Sequence, residues 1–390
     1  MKINISKKVY QKVKEGYLWI FDNELKTLPN LDSEIIDLYH NNIFVGKAYY
    51  NPQSKISLRV LNLKNEEINL DFWVNRLKEL YYQKSKFYGS NFRWVYSEGD
   101  FLPGLIIDLF TTTEQKKVAV CMLLTKGIDF HKENIFKALI KLGVNCIINR
   151  SDSNLRKLEG LELKREIEYG NINLPFTVKI DDILFLIDPL NGQKTGFYFD
   201  HTENRRFLKN IAQDKIVLDV FSYIGTFSLY ALKYGARFVE LIDESNFAYN
   251  VIPQIMKLNN FQNKYLFHKA NAFEKLRELV ELSKKFSIVI VDPPSFVKTK
   301  DKIQNALKAY FDINYVALKL VEDNGYFLTS SCSQKVTEEQ FLEAIRQAFF
   351  KEGLYGKLIY RGGQATDHPV NLAMPETQYL KFFAFQVKRL

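Results

Sequence analysis

Two short stretches carry the residue types that could do chemistry, Asp292-Pro-Pro-Ser-Phe296 and Ser331-Cys-Ser333. The first follows Val289-Ile-Val and the second follows Gly325-Tyr-Phe-Leu-Thr, runs that read as buried strands. Each reactive side chain therefore stands where a strand ends. Two prolines after Asp292 make a stiff, extended exit that needs no backbone donor, so the carboxyl group is presented in a set direction. Cys332 lies among serine hydroxyls, whereas Cys121 and Cys146 sit inside apolar runs and read as small buried hydrophobes. A thiol with the ordinary pKa of about 8.5 is mostly unreactive near neutrality. The neighbouring hydroxyls and the lysines at 298, 300, 302 and 308 are expected to help it ionise. A thiolate that adds to carbon 6 of a pyrimidine turns carbon 5 into a nucleophile. Asp292, protonated or acting through its neighbours, would steady the ring nitrogen of the adduct.

The elements that must position these residues begin with Ile216 to Phe221, an apolar run broken only by Asp219. A Ser222-Tyr-Ile-Gly225 turn follows, and Thr226 opens an apolar helix. This turn has neither the dinucleotide G-x-G-x-x-G spacing nor the Lys-Ser/Thr of a P-loop. A strand, glycine turn and helix with an acid at the strand end suit a cofactor without a pyrophosphate, such as S-adenosylmethionine, in the crevice at the carboxyl edge of an α/β sheet. Gly225 would let the backbone approach that ligand. Asp243, 24 positions after Asp219, could accept both hydroxyls of a ribose or cap the helix behind it. Asn271 could bond an adenine edge, or equally cap a helix. Strands near 216–221, 237–242, 265–269, 286–291, 325–330, 355–360 and 379–387 alternate with helical stretches, which predicts a doubly wound sheet. Residues 361 to 378 lack a helical pattern, so the sheet is expected to close on an antiparallel hairpin.

Upstream, residues 1–68 hold short alternating runs and turn signals, a small β-rich domain. Residues 69–188 mix helix and strand without regular alternation, an α+β domain, and 189–390 form the α/β domain. The chain has 390 residues, 46% hydrophobic and 25% charged, as a globular protein has. No leader-like segment or membrane-length apolar run is read, and three scattered cysteines suit neither a disulfide framework nor a zinc site. A cytoplasmic protein without metal or membrane contact is expected. The net charge of +9 includes Lys2, Lys7, Lys8, Lys12 and Lys14 in a stretch free of acids, which favours a polyanionic partner. Aromatic residues, 14% of the chain, offer stacking surfaces for unpaired bases.

Further segments carry a family resemblance: Tyr17-Leu-Trp-Ile-Phe21, Glu98-Gly-Asp-Phe-Leu-Pro-Gly-Leu105 with Asp108, Arg150-Ser-Asp-Ser153, Thr195-Gly-Phe-Tyr-Phe-Asp200, Asn204-Arg205, Asp367-His-Pro369 and Tyr379-Leu-Lys381. Together with the stretches around Gly225, Asp292 and Cys332, they make nearly the whole chain resemble the PUA-domain-containing large-subunit ribosomal RNA cytosine-5 methyltransferases. The resemblance implies an N-terminal PUA domain, a central α+β domain and a Rossmann-like seven-stranded methyltransferase sheet. It implies Cys332 as nucleophile with Asp292 beside it. S-adenosylmethionine would be held by Thr195, Asp219, Phe221, Ser222, Gly225, Asp243, Asn271 and Ala272. Large-subunit ribosomal RNA is the implied partner, and a homodimer is allowed. His201-Thr202 stands where the family usually has Gln-Arg, Asn271 where an acid is common, and Ile224 where a Thr is usual. The target cytosine is expected to leave its stack and enter between Asp292 and Cys332, with Asp367-His-Pro369 closing over it or making a plain turn. Two alternatives stand beside this reading: an amino-group methyltransferase acting on an RNA purine, and a non-catalytic RNA-binding ribosome-assembly factor.

Overall fold

The computed structural model describes residues 1–25, 34–297 and 302–389. It divides into two compact units. One comprises Met1–Lys179, Ile187–Phe199 and Thr366–Thr377; the other comprises Ile180–Leu186, Asp200–Ala365 and Gln378–Leu390. The chain thus passes from one unit to the other several times.

The first unit holds two five-stranded sheets. The N-terminal sheet runs Lys2–Asn4, Ile35–His40, Ile43–Tyr50, Leu58–Asn62, Trp19–Ile20 in spatial order. Across it lies a helix, Lys7–Lys14, that the lysine-rich sequence concealed. Ser6 caps it by accepting the Val9 amide, and it buries Val9 and Val13 while its basic residues line the other face. Lys2, Lys7, Lys8 and Lys14 are exposed, whereas Lys12 is drawn to Glu24 at 2.7 Å and over the Tyr17 ring. The second sheet, Phe92–Tyr96 to Glu166–Tyr169 at its edges, packs against the helix Leu70–Tyr88 through Trp73, Leu77 and Leu80. Burying each such side chain contributes roughly 1.5–3 kcal/mol.

The second unit is built on seven strands, β1 (Ile216–Val220), β2 (Phe238–Asp243), β3 (Tyr265–Lys269), β4 (Phe286–Val291), β5 (Val321–Ser331), β6 (Leu354–Gly362) and β7 (Lys381–Arg389). Their spatial order is β3-β2-β1-β4-β5-β7-β6. β1 to β5 are parallel, and β7 runs antiparallel to both β5 and β6. The closing antiparallel hairpin expected from sequence is present. β5 begins earlier than its pattern suggested, because Glu322-Asp-Asn324 reads as a turn; Asn324 does adopt a left-handed φ of 59°, but the strand continues through it. The helices Thr226–Lys233 (α1), Asn246–Leu258 (α2), Ala272–Glu281 (α3), Ile303–Leu318 (α4) and Glu338–Glu352 (α5) connect the strands. Val217, Leu218, Val289, Ile290 and Phe327 are wholly buried between the helical layers, as strands covered on both faces must be.

Candidate active site

Strand order reverses direction between β1 and β4, the switch point where open α/β sheets bind ligands. At this edge the chain ends meet. The Phe221 amide donates to Ile242 O at 2.9 Å and the Asp292 amide to Val220 O at 3.3 Å. Thr329 pairs with Val291 in the register of β4 and β5. The loops after β1, β2, β4 and β5 therefore form one rim.

In the β1 loop, Asp219 is buried, and its Oδ2 accepts the Ser228 amide at 3.1 Å and hydroxyl at 2.8 Å. Among the described residues, its Oδ1 and the buried Ser222 Oγ have no hydrogen-bond partner. Burial, only partly offset by Ser228, pushes the Asp219 carboxyl up to about 7. Phe221, Tyr223 and Gly225 take left-handed φ values of 64°, 48° and 75°, which folds the turn back over the start of α1. The expected reason for Gly225 needs correcting. A Cβ there would come within 2.8 Å of Leu241 Cδ2, so the space belongs to β2 rather than to a ligand.

Asp243 ends β2 and receives the Tyr223 amide on Oδ2 and the Ser245 amide on Oδ1, each at 2.8 Å. The cap of α2 is Ser245, whose Oγ accepts the Ala248 amide. Asp243 thus ties the β1 turn to the β2 loop, and each oxygen retains a lone pair for a further donor. Asn271 caps α3 by accepting the Phe273 and Glu274 amides at 3.0 and 3.4 Å, and Ala272 follows it, buried. Thr195 lies in the first unit, where it is buried and its hydroxyl donates to Asp108.

The β4 and β5 loops carry the reactive groups. Asp292 Oδ1 accepts the Ser330 hydroxyl and lies 3.3 Å from His201 Nε2. Burial works to raise this carboxyl, but the attraction and hydrogen bond of His201 and the Ser330 hydroxyl prevail, holding it below the usual carboxylate range. An ionised Asp292 replaces the protonated form considered from sequence. Cys332 is partly exposed. Around it, Tyr310 Oη meets Ser331 Oγ and Ser333 Oγ at 2.9 Å each, and Ser333 Oγ meets Ser295 Oγ at 2.8 Å. These contacts lock the Asp-Pro-Pro-Ser loop to the Ser-Cys-Ser loop. Lys381 of β7, opposite Ser331 in the ladder, donates to Ser333 O at 2.5 Å and Val336 O at 2.8 Å. Burial brings its ammonium down to about 8, opposed by attraction to Cys332. The lysines at 298 and 300 lie outside the described residues, and Lys302 and Lys308 are exposed near the start of α4.

Sequence spacing missed His201, Ser330, Tyr310 and Lys381 as neighbours of the reactive pair: His201 comes from a helical turn before β1, Tyr310 from α4, and Lys381 from β7 through its register with β5. Asp367 and His368 are buried in the first unit, with Asp367 Oδ2 accepting the Arg93 amide at 2.8 Å and its backbone O accepting Lys84 Nζ at 2.9 Å.

A β3-β2-β1-β4-β5-β7-β6 sheet with an acid-ended, glycine-bearing first turn defines an S-adenosylmethionine-dependent methyltransferase. The S-adenosylmethionine-dependent methyltransferase family matches residues 173–340, and the PUA-like domain family matches residues 3–63. The chain is 34% identical to the ribosomal RNA large subunit methyltransferase I of Alteromonas mediterranea over 387 residues, 97% of this chain and 96% of that protein. It is 34% identical to the protein of the same name from Vibrio vulnificus over 383 residues, 95% of each. A Streptococcus mutans structure described as a SAM-dependent methyltransferase superposes with a TM-score of 0.82 at 21% identity, covering 99% of this chain and 100% of that one. Another methyltransferase structure, complexed with SAH, gives 0.84 at 20% identity over the same shares. The chain belongs to the ribosomal RNA large subunit methyltransferase I family. The cofactor fits the residues present: the unpartnered Asp219 Oδ1 and Ser222 Oγ are acceptors for a cationic or hydroxylated ligand, and Asp243 has acceptor capacity for a ribose.

Among the described residues no helix is long and apolar enough to cross a membrane.

Proposed function

We propose that the protein methylates carbon 5 of a cytosine in large-subunit ribosomal RNA through a covalent adduct to Cys332. One observation carries this reading: a partly exposed thiol stands on a loop hydrogen-bonded to the Asp292 loop, near the partly buried Lys381. Transfer to an amino group needs no thiol at this place.

The Cys332 sulfur, as thiolate, forms a bond to carbon 6, and the electron pair of the 5,6 double bond moves towards carbon 5 and the ring. Lys381 favours the thiolate through the attraction between its ammonium and the Cys332 sulfur. The ionised Asp292 accepts from the exocyclic amino group and from ring nitrogen 3, which takes a proton from solvent as the adduct forms and returns it when the ring is restored, and this stabilises the adduct. S-adenosylmethionine, when bound, would supply the methyl group that carbon 5 takes from its sulfonium, and would leave as S-adenosylhomocysteine. Loss of the carbon 5 proton to a base restores the double bond, and the carbon 6–sulfur bond breaks to release Cys332. Asp219, Phe221, Ser222, Gly225, Asp243, Asn271 and Ala272 would hold the cofactor on the rim. Residues 1–68 would bind RNA as a PUA domain, with 69–188 as the central domain and 189–390 as the catalytic one. Exposed Lys7, Lys8 and Lys14 suit phosphate contacts.

The test is Cys332→Ala with labelled S-adenosylmethionine and large-subunit RNA, followed by mass mapping of the modified base. Loss of 5-methylcytosine with cofactor binding intact is expected. Near-normal turnover, or a methylated purine, would overturn the proposal.

A further inference from the structure

The side of Asp292 facing away from the rim is held by a chain of buried groups. Its carboxylate is about a quarter exposed (26%) while His201, on the inner side, is 6% exposed. Both donors that reach the carboxylate, His201 Nε2 and Ser330 Oγ, meet the same oxygen, Oδ1. Among the described residues nothing donates to Oδ2.

The proton position on His201 follows from its neighbours. Asn204 Nδ2 lies 3.1 Å from His201 Nδ1 and 3.0 Å from Gly363 O. Tyr360 Oη donates to Asn204 Oδ1 at 3.3 Å. Two independent contacts therefore fix the Asn204 amide with its nitrogen towards the imidazole. A nitrogen that accepts from Asn204 carries no proton, so the proton sits on Nε2 and points at Asp292. The ring cannot easily turn away: Phe227 and Phe382 abut it edge-on, with centroids 5.3 and 5.8 Å distant. Asn204 itself is fully buried, and a Cβ on Gly362 would collide with its Oδ1.

We infer that His201 is a positioning residue, whose Nε2–H, with the Ser330 hydroxyl, pins Oδ1 of Asp292 and leaves Oδ2 as the acceptor for the base. This rests on the cytosine reading above. A carboxylate free to rotate would share its charge between solvent and substrate; one fixed by two donors meets the adduct already oriented, so the benefit falls on the chemical step.

The experiment uses the full chain, S-adenosylmethionine and a large-subunit RNA transcript containing 5-fluorocytidine. Fluorine at carbon 5 cannot leave as a proton does, so the methylated adduct to Cys332 persists and can be counted. His201→Ala should slow trapping roughly 10- to 100-fold, the loss of one hydrogen bond to a charged group, with KM for RNA and cofactor affinity changed less than about threefold. His201→Gln, whose side-chain amide can offer an N–H to Oδ1, should recover most of the rate. Ser330→Ala removes the other donor and should slow trapping in the same way, which decides the matter if His201→Ala does not fold. Unchanged trapping in both alanine variants, or a glutamine variant as slow as alanine, overturns the inference. A wild-type protein that methylates the unmodified transcript yet traps no adduct overturns the cytosine reading, and this inference with it.

Discussion

Replacing Asp219 by Asn should make the second unit more stable at alkaline pH, and the size of the gain can be worked out. The Asp219 carboxyl is buried and rises from an ordinary value of 3.8 to about 7. In the unfolded chain it ionises freely near its ordinary value. Its favourable contribution to folding is therefore complete below about pH 4 and is lost as pH rises through about 7. At about 1.4 kcal/mol for each tenfold in proton affinity, that rise amounts to roughly 4 kcal/mol, with about 2.5–3 of it falling between pH 5 and 9. The carboxamide oxygen of Asn can still accept the Ser228 amide and hydroxyl that Asp219 Oδ2 accepts, while the ionisation disappears. Guanidinium unfolding of both proteins across about pH 5 to 9 should show the difference, variant minus wild type, growing by about 2–3 kcal/mol. A difference that stays flat would refute the idea that burial without a counter-charge dominates at Asp219.

Two further outcomes are expected. Gly225→Ala should cost about 1–3 kcal/mol, because the new Cβ meets Leu241 Cδ2 at 2.8 Å and φ is +75°. Leu241→Val in that background should restore only the steric part, which thermal unfolding of the single and double variants can read. Lys381→Met should slow alkylation of Cys332 by iodoacetamide roughly 3- to 10-fold near neutral pH, because the neighbouring cation favours the thiolate. Because the Lys381 ammonium titrates at about 8, the two rates should converge above that pH. Equal rates at pH 7 would exclude the lysine as an activator. Cys121 and Cys146 are buried and their thiols pushed up by burial, so the alkylation signal reports on position 332.

How far the sequence revealed these relations depends on the range over which each is encoded. Strand and turn signals are local: apolar runs leading to Phe221, Asp243, Asp292 and Ser331 placed four strand ends, and the bare stretch after 361 announced the closing hairpin. Polar composition misled where it masked regular structure, as in the lysine-rich helix Lys7–Lys14 and the Glu322-Asp-Asn324 start of β5. Gly225 was read as room for a ligand, whereas Leu241 takes the space its Cβ would fill, since a sequence does not say which side of a turn is occupied.

Contacts between distant segments were not legible, and here they matter most. Lys381 faces Cys332 because β7 runs antiparallel to β5 with Ser331 opposite Lys381; a register shift of one residue would turn the lysine to the other face of the sheet. His201 reaches Asp292 from a helical turn that precedes β1, a relation no spacing rule contains. The reactive residues can thus be found from strand-end motifs, whereas the groups that set their ionisation and direction come from other elements. A motif with an intact Asp292 and Cys332 is consequently insufficient for the chemistry: substitution at His201, Ser330 or Lys381 would leave the motif unchanged while altering the charge and aim on which the thiolate route depends.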